Sequence, residues 1–538
     1  MNSEHDIRVR LVYGMIFFGL LFSCIIARLF YIQILDQDFY ANLGKKQHHI
    51  EVDMQSRRGA VLDRHGREML FNHEHLSAFI IPKECCDNTK FMRFLKNRYP
   101  STFHRIEKNP DGQFAWLKRD IKPHEVARIK RLGFDNGLIH FIKEPSRLTA
   151  CAASSAVLGA TDVDNKGISG IELLYDRQLK GSPAQYQLAR DARSQGLVFD
   201  RTLIDVGQPG ETIALTIDKN LQAIVCDELA RSMKKFKAEQ GCALVMDPDT
   251  GDILSMVNLP DTDKNSHNII VNDCFELGSV MKVFTALAAL DEKVVTIDEL
   301  IDCEGKGTTL KGFAVENLST LGILSFSDVI AKSSNVGTAK IALRLGSKLY
   351  DHLVRLGFGS HTGITYPGER SGTVFHPSKW SNSSPIAMSF GYEVMASMLQ
   401  LGKALCIVAN GGYEVKPRLV LDSTPHEKGE QLYRDEVIED LKKILENLGS
   451  RRPVDGMRTM GKTGTARVLK DGVYSKKDHR YAYCGCIEKD GYRRVIVTFS
   501  SGIKNNADLL SWQIEGPLFQ SIGNRMVAYD RLRGALRV

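Results

Sequence analysis

From Leu11 to Ala27 the chain carries no charged side chain, and after Arg28 the apolar run resumes from Leu29 to Leu35. A helix needs roughly 20 apolar residues to cross the hydrocarbon core of a bilayer, and an arginine near one end can extend its guanidinium to the interface. The stretch predicts a transmembrane anchor over residues 11–35, with residues 1–10 as a cytoplasmic tail. No small-x-small cleavage site follows, so the segment is expected to stay in place. Leu21-Phe22-Ser23-Cys24 departs from a lipoprotein processing site in its bulky Phe22 and in the apolar residues beyond Cys24. Arg8 and Arg10 precede the helix and Lys45 and Lys46 follow it, so counting Lys and Arg leaves the orientation weakly specified.

A chain of 538 residues, 43% hydrophobic and 25% charged, exceeds one hydrophobic core and predicts two or three globular units. Its formal charge of +7 is spread without a dense Lys/Arg block or interleaved aromatic residues, which argues against nucleic-acid binding. The eleven cysteines include Cys85-Cys86 and Cys484-x-Cys486 but no C-x-x-C pair, and no histidine cluster has ligand spacing. No metal site is expected, and each cysteine reads first as a small buried side chain.

Residues 36–235 are polar and mixed, with strand-like pieces such as 48–53 and a turn at Gly207-Gln208-Pro209-Gly210. They read as an elongated non-catalytic domain, and a solvent-facing helix over 221–240 leads into the second half. In residues 236–538, Ala243–Met246 and Ile253–Val257 flank Pro248-Asp249-Thr250-Gly251, and Ala482–Ile487 and Val495–Phe499 flank Lys489-Asp490-Gly491. Each pair predicts a β-hairpin. Strands from both ends of one domain around a helical middle imply an α+β fold, an antiparallel sheet covered by helices.

Three short motifs carry the chemistry. In Phe275-Glu276-Leu277-Gly278-Ser279-Val280-Met281-Lys282, followed by the apolar Val283–Leu290, Ser279 and Lys282 share one face of a helix that must be buried. Burial disfavours an ammonium, so Lys282 can serve as the base that makes Ser279 a nucleophile. The pattern alone is weak, since Ser232-Met233-Lys234-Lys235 matches it within a charged helix. Ser333-Ser334-Asn335 lies at a helix junction, where such residues commonly cap backbone donors. In Gly461-Lys462-Thr463-Gly464-Thr465-Ala466, period two puts Thr463 and Thr465 on one face of a strand and Lys462 on the other or at the edge.

In this order, S-x-x-K, S-x-N and K-T-G form the three-part signature of penicillin-recognising serine enzymes. The chain resembles a class B penicillin-binding protein over nearly its whole length. Arg58-Gly59-Ala60-Val61-Leu62-Asp63-Arg64-His65-Gly66 resembles the first motif of that class. Gly167-Ile168-Ser169-Gly170-Ile171-Glu172, with Tyr175-Asp176, resembles a later one, and Leu215-Thr216-Ile217-Asp218 with Leu221-Gln222 resembles the approach to the catalytic domain. The family departs from this chain at Arg147-Leu148-Thr149-Ala150, where an aromatic-proline pair is usual, at Tyr483-Cys484-Gly485-Cys486, and at Gly391-Tyr392-Glu393.

The resemblance implies a membrane anchor, a pedestal (dimerisation-type) domain to residue 235 and a serine β-lactamase-like transpeptidase domain from 236. It implies a peptidoglycan D,D-transpeptidase that cross-links stem peptides through a Ser279 ester and is trapped by β-lactams. Lys282 would be the base, Ser333 would relay a proton to the leaving amine, and Asn335 would hold the peptide amide. Lys462, with Thr463, Gly464 and Thr465, would take the substrate carboxylate, and backbone N–H groups of Ser279 and Thr465 would form the oxyanion hole. No metal or organic cofactor is implied. The short N-terminal half, without an obvious large insertion, looks more like a division-type, FtsI-like enzyme than an elongation-type one. The catalytic side would face the periplasm, beside a glycosyltransferase of the FtsW or RodA type and division proteins. The rival readings are a β-lactamase or β-lactam sensor, which would hydrolyse β-lactams rapidly, and a catalytically silent division scaffold.

Overall fold

The computed structural model describes residues 2–40, 49–54, 57–112, 114–134, 137–150, 154–190, 197–261, 267–422, 428–504 and 509–536. Lys45, Lys46 and His48 lie outside these. The chain divides into two compact units, residues 1–58 with 180–210, and residues 59–179 with 211–538.

The first unit begins with a helix over Asn2–Phe30 that ends in a π turn at Tyr31–Leu35. Within it, Ile7–Leu35 is long and apolar enough to cross a membrane once. Met15 and Phe18 are 74% and 68% exposed, so among the described residues nothing covers this apolar surface, and its length matches the bilayer core. The same unit holds a three-stranded antiparallel sheet of His49–Met54, Ala184–Arg190 and Leu197–Asp205, the second strand in the middle.

The second unit opens with a sheet of β1 (Val61–Leu62), β2 (Glu68–Ile80), β3 (Ala115–Lys118), β4 (His140–Thr149) and β5 (Ile213–Ala214). Its order is β3-β2-β1-β5, and β4 pairs antiparallel with β2 over residues 70–79. Helices α1 (Thr89–Arg98), α2 (Pro100–Lys108) and α3 (Pro123–Arg131) bury Phe91, Phe103 and Ile129 with Ala78 and Ile80 of β2. The turn after β1 is fixed by Asp63, whose carboxylate accepts from the N–H groups of His65 and Arg67 at 2.9 and 2.8 Å and from Lys219 N–H at 3.1 Å. Asp218 caps the following helix α4 (Lys219–Phe236) and accepts from Arg67 Nη2 at 2.8 Å. The first family-like motif is thereby a structural knot at the start of α4.

The catalytic half is built on a five-stranded antiparallel sheet. In chain order its strands are β6 (Gln240–Met246), β7 (Ile253–Leu259) and, after the helical middle, three more. That middle holds α5 (Lys282–Asp291), a hairpin of β8 (Leu300–Leu310) and β9 (Phe313–Ser325), α6 (Asn335–Leu345), α7 (Met398–Ala409) and α8 (Asp435–Gly449). Then come β10 (Arg458–Lys470), β11 (Val473–Lys489), β12 (Tyr492–Ser501) and α9 (Ser511–Leu532). The order across the sheet is β7-β6-β12-β11-β10.

Alternation sends the two faces of this sheet to different cores. Leu244, Met460, Cys484 and Val497 pack with α5 and α7, while Val245, Tyr483 and Ile496 pack with α4 and α9. Both expected hairpins are present. The loop between β11 and β12 is Asp490-Gly491, with φ of 48° and 85°, the left-handed pair that a two-residue hairpin demands. The helix expected to face solvent over 221–240 is instead α4, and it buries Leu221, Val225 and Leu229 against the sheet. Most of its charges occupy the outer face, Glu228 being buried beside Arg525 of the C-terminal helix, and Leu221, Val225 and Leu229 recur every fourth position.

Candidate active site

Lys282 opens α5, whose residues Lys282–Leu290 are all buried, as a run that is apolar apart from Thr285 requires. Ser279 sits just ahead in a 3-10 turn, Gly278–Met281, and is partly exposed. The turn is pressed between two backbones. Gly278 has φ of 58°, and a Cβ there would lie 2.6 Å from the Thr465 carbonyl oxygen. On the other side a Cβ at Gly391 would lie 2.2 Å from the Gly278 carbonyl oxygen. Only glycine allows these approaches, and they set Ser279 beside β10.

The amine of Lys282 points across to the second motif. Its Nζ donates to the Ser333 carbonyl oxygen at 2.6 Å and to Asn335 Oδ1 at 2.6 Å, and lies 3.1 Å from Ser333 Oγ. Lys462 reaches the same hydroxyl from β10, at 3.1 Å, and donates to the Thr463 carbonyl oxygen at 3.0 Å. Among the described residues no hydrogen bond closes between Lys282 and Ser279, so the amine rests on Ser333 and Asn335 in this state. Burial, then the nearby Lys462 charge, holds Lys282 well below the usual lysine range. Burial also lowers Lys462, to about 8.

The serine–serine–asparagine triplet divides its labour. Ser334 is the helix cap, accepting from Gly337 N–H at 3.0 Å. Ser333 is held at φ of 58°, an uncommon left-handed state for a residue with a side chain, and its hydroxyl meets both lysines. The residue that fixes this turn is Asn317 on β9, which sequence reasoning missed. Its Oδ1 accepts from Asn335 N–H at 2.9 Å, Ser334 Oγ at 3.0 Å and Val336 N–H at 3.2 Å. Its Nδ2 donates to the carbonyl oxygens of Cys303 and Gly305, both at 3.1 Å. A lone asparagine in a hairpin strand has no periodic or motif signal, and only the tertiary fold reveals it.

In the third motif, Lys462 faces α5 while Thr463 and Thr465 share the opposite face, as period two requires. Gly464 permits contact with the nucleophile's turn, since a Cβ there would lie 2.4 Å from the Leu277 carbonyl oxygen. The rim beside the turn comes from the segment that only loosely resembles the family. Glu276 accepts from Glu393 N–H at 3.0 Å and from the Tyr474 hydroxyl at 2.9 Å, and Glu393 has φ of 58°. In the segment that departs from the family at Arg147-Leu148-Thr149-Ala150, Arg147 itself has buried partners. Its Nε donates to Glu172 at 2.6 Å and its Nη2 to the Gly59 carbonyl oxygen at 2.8 Å, joining two family-like motifs by a buried ion pair. The second S-x-x-K match lies apart, with Ser232 partly exposed and Lys235 exposed on α4.

The arrangement thus holds a partly exposed serine, a buried amine whose pKa is lowered, a hydroxyl shared between two lysines and a lysine on the edge strand of the sheet. Residues 241–520, more than half of the chain, match the penicillin binding protein transpeptidase domain. The chain belongs to that family. Residues 53–215 match the penicillin-binding protein dimerisation domain, which makes this a class B penicillin-binding protein. The penicillin-binding protein is 29% identical over 497 residues to peptidoglycan D,D-transpeptidase FtsI of Escherichia coli, covering 87% of this chain and 83% of that one. It is 28% identical over 479 residues to the probable peptidoglycan D,D-transpeptidase PbpC of Pseudomonas aeruginosa, covering 85% and 84%. In fold it is similar to penicillin binding protein 3 from Mycobacterium tuberculosis complexed with aztreonam, with a TM-score of 0.66 at 21% identity over 89% of this chain and 97% of that one.

Proposed function

We propose that this penicillin-binding protein cross-links peptidoglycan stem peptides at the division septum, with its catalytic half on the periplasmic side of the cytoplasmic membrane. The observation that carries the reaction is the convergence of Lys282 and Lys462 on the Ser333 hydroxyl, with Asn335 bound to Lys282, beside the turn that bears Ser279. Ser279 Oγ attacks the carbonyl carbon between two D-alanines as its proton passes to neutral Lys282. The carbon–nitrogen bond breaks, Ser333 relays a proton to the departing amine of the terminal D-alanine, and an ester remains on Ser279. An amine of a second stem peptide then forms the new amide and returns the proton to Ser279. Asn335 holds the donor's amide, while Lys462, Thr463, Gly464 and Thr465 receive its carboxylate. N–H groups of Ser279 and Thr465 aimed at the developing oxyanion would each be worth roughly 3 kcal/mol.

We assign residues 36–235 as the pedestal and residues 236–538 as the transpeptidase domain. The one helix among the described residues that is long and apolar enough to cross a membrane supports a one-pass anchor. A membrane-embedded glycosyltransferase of the FtsW or RodA type would supply the glycan strand.

The test is incubation of the full-length protein with a D-Ala-D-Ala donor peptide and an amine acceptor, following D-alanine release and the cross-linked product. Both are expected, and neither in Ser279→Ala. Fast turnover of a β-lactam with no cross-linked product would move the chain to the hydrolase reading.

A further inference from the structure

Ser511, the first residue of α9, lies outside all three motifs, is 1% exposed and is bound to the third motif. Its hydroxyl donates to the Gly464 carbonyl oxygen, and its N–H donates to Thr465 Oγ1 at 3.2 Å. The two hydroxyl oxygens, Ser511 Oγ and Thr465 Oγ1, are 3.0 Å apart. Counting protons settles the direction of that last bond. A serine hydroxyl has one proton, and the Gly464 carbonyl takes it. The hydroxyl–hydroxyl bond must use the proton of Thr465, with Ser511 Oγ accepting. An ionised carboxylate is acceptor-only, so Thr465 can donate to one only after it releases Ser511.

We propose that Ser511 is a positioning residue that competes with the substrate carboxylate for the hydroxyl proton of Thr465, and thereby slows acylation by donors that carry a carboxylate. This rests on the reading that Lys462, Thr463 and Thr465 receive the carboxylate. The strand itself does not depend on Ser511. Gly464 pairs with Ala482 and Thr465 with Tyr481 in the β10–β11 ladder, and Gly464 is seated against Leu277 and Val280 of the nucleophile's turn. Removing the Ser511 hydroxyl frees the Thr465 proton while the ladder holds the strand. A hydrogen bond to a charged acceptor is stronger than the neutral one it replaces, so the released competition is worth roughly three- to tenfold in rate.

The experiment measures second-order acylation of the full-length protein in detergent by benzylpenicillin and by its methyl ester. The variants are Ser511→Ala, Ser511→Gly, Thr465→Val and Ser511→Ala/Thr465→Val, each checked by thermal melting. Both Ser511 variants should acylate roughly three- to tenfold faster with benzylpenicillin and at the parent rate with the ester, which has no carboxylate to compete. The gain should vanish in the Thr465→Val background. A Ser511 variant that folds yet acylates at or below the parent rate, while Thr465→Val slows the reaction, overturns the competition and leaves the carboxylate site standing. Parent-like acylation by Thr465→Val removes Thr465 from the carboxylate site, and the proposal falls with that assignment.

Discussion

Lys282 and Lys462 end 3.1 Å from the same atom, the hydroxyl oxygen of Ser333. Two ammonium groups around one acceptor in a dry site repel each other, so burial and the neighbouring Lys462 charge both disfavour a proton on Lys282. As a neutral amine Lys282 still satisfies its surroundings. Its two hydrogens go to the Ser333 carbonyl and Asn335, and its lone pair is left for a hydroxyl.

This arrangement dictates a bell-shaped pH profile for penicillin acylation. The rate climbs as Lys282 loses its proton and falls as Lys462, lowered to about 8, loses the charge that attracts a carboxylate. Lys462→Arg keeps a cation throughout and should erase the falling limb. An unchanged falling limb in that variant would remove Lys462 from the assignment. The stability effect has a definite sign. The unfolded chain binds more protons at Lys462 than the folded one between about 8 and the ordinary lysine value of 10.5, so stability rises with pH there. Thermal melting of Lys462→Met across this window should show a shallower rise.

Asn317→Ala orphans buried groups of Ser334, Val336 and Cys303, at a cost of at least about 2 kcal/mol. Acylation should fall roughly tenfold as Ser333 leaves its left-handed turn. Asn317→Asp keeps the acceptor for Ser334, Asn335 and Val336 but loses the donors to Cys303 and Gly305. It should recover most of the acylation rate and only part of the melting temperature. Equal loss of both in the two variants would make Asn317 a stability residue alone.

Gly464→Ala places a methyl 2.4 Å from the Leu277 carbonyl oxygen and 2.5 Å from Val280 Cγ2. Strand and nucleophile turn must separate by a good fraction of an ångström, a displacement worth on the order of a hundredfold in rate. Stopped-flow acylation with the melting temperature measured alongside checks this. A near-parent rate would mean that the contact does not position Ser279.

Arg147→Ala removes a guanidinium that is bound to the fully buried Glu172, and should lower stability by at least about 1 kcal/mol by chemical denaturation. Arg147→Lys restores the charge but cannot reach Glu172 and Gly59 together, so rescue should be partial. Penicillin acylation of the protein that remains folded should be unchanged.

What sequence could reveal was local. Asp490-Gly491 announces its hairpin because it is one of the few pairs that tolerate two successive left-handed residues, and Val283–Leu290 announces a buried helix by lacking a polar face. The three motifs likewise meet at one hydroxyl. What escaped was tertiary. Nothing in the charge alternation of α4 shows that Leu221, Val225 and Leu229 have a sheet to cover. Asn317, Ser511 and the Arg147–Glu172 pair act on partners distant in the chain, where neither spacing nor periodicity leaves a trace.

The most direct test of the acyl-enzyme is intact-mass analysis of the full-length protein after exposure to a fluorescent penicillin, beside Ser279→Ala and Ser232→Ala. One stable adduct per chain is expected in the parent and in Ser232→Ala, and none in Ser279→Ala. No adduct on folded parent protein, or an adduct that survives in Ser279→Ala, would contradict the assignment of Ser279 as the nucleophile.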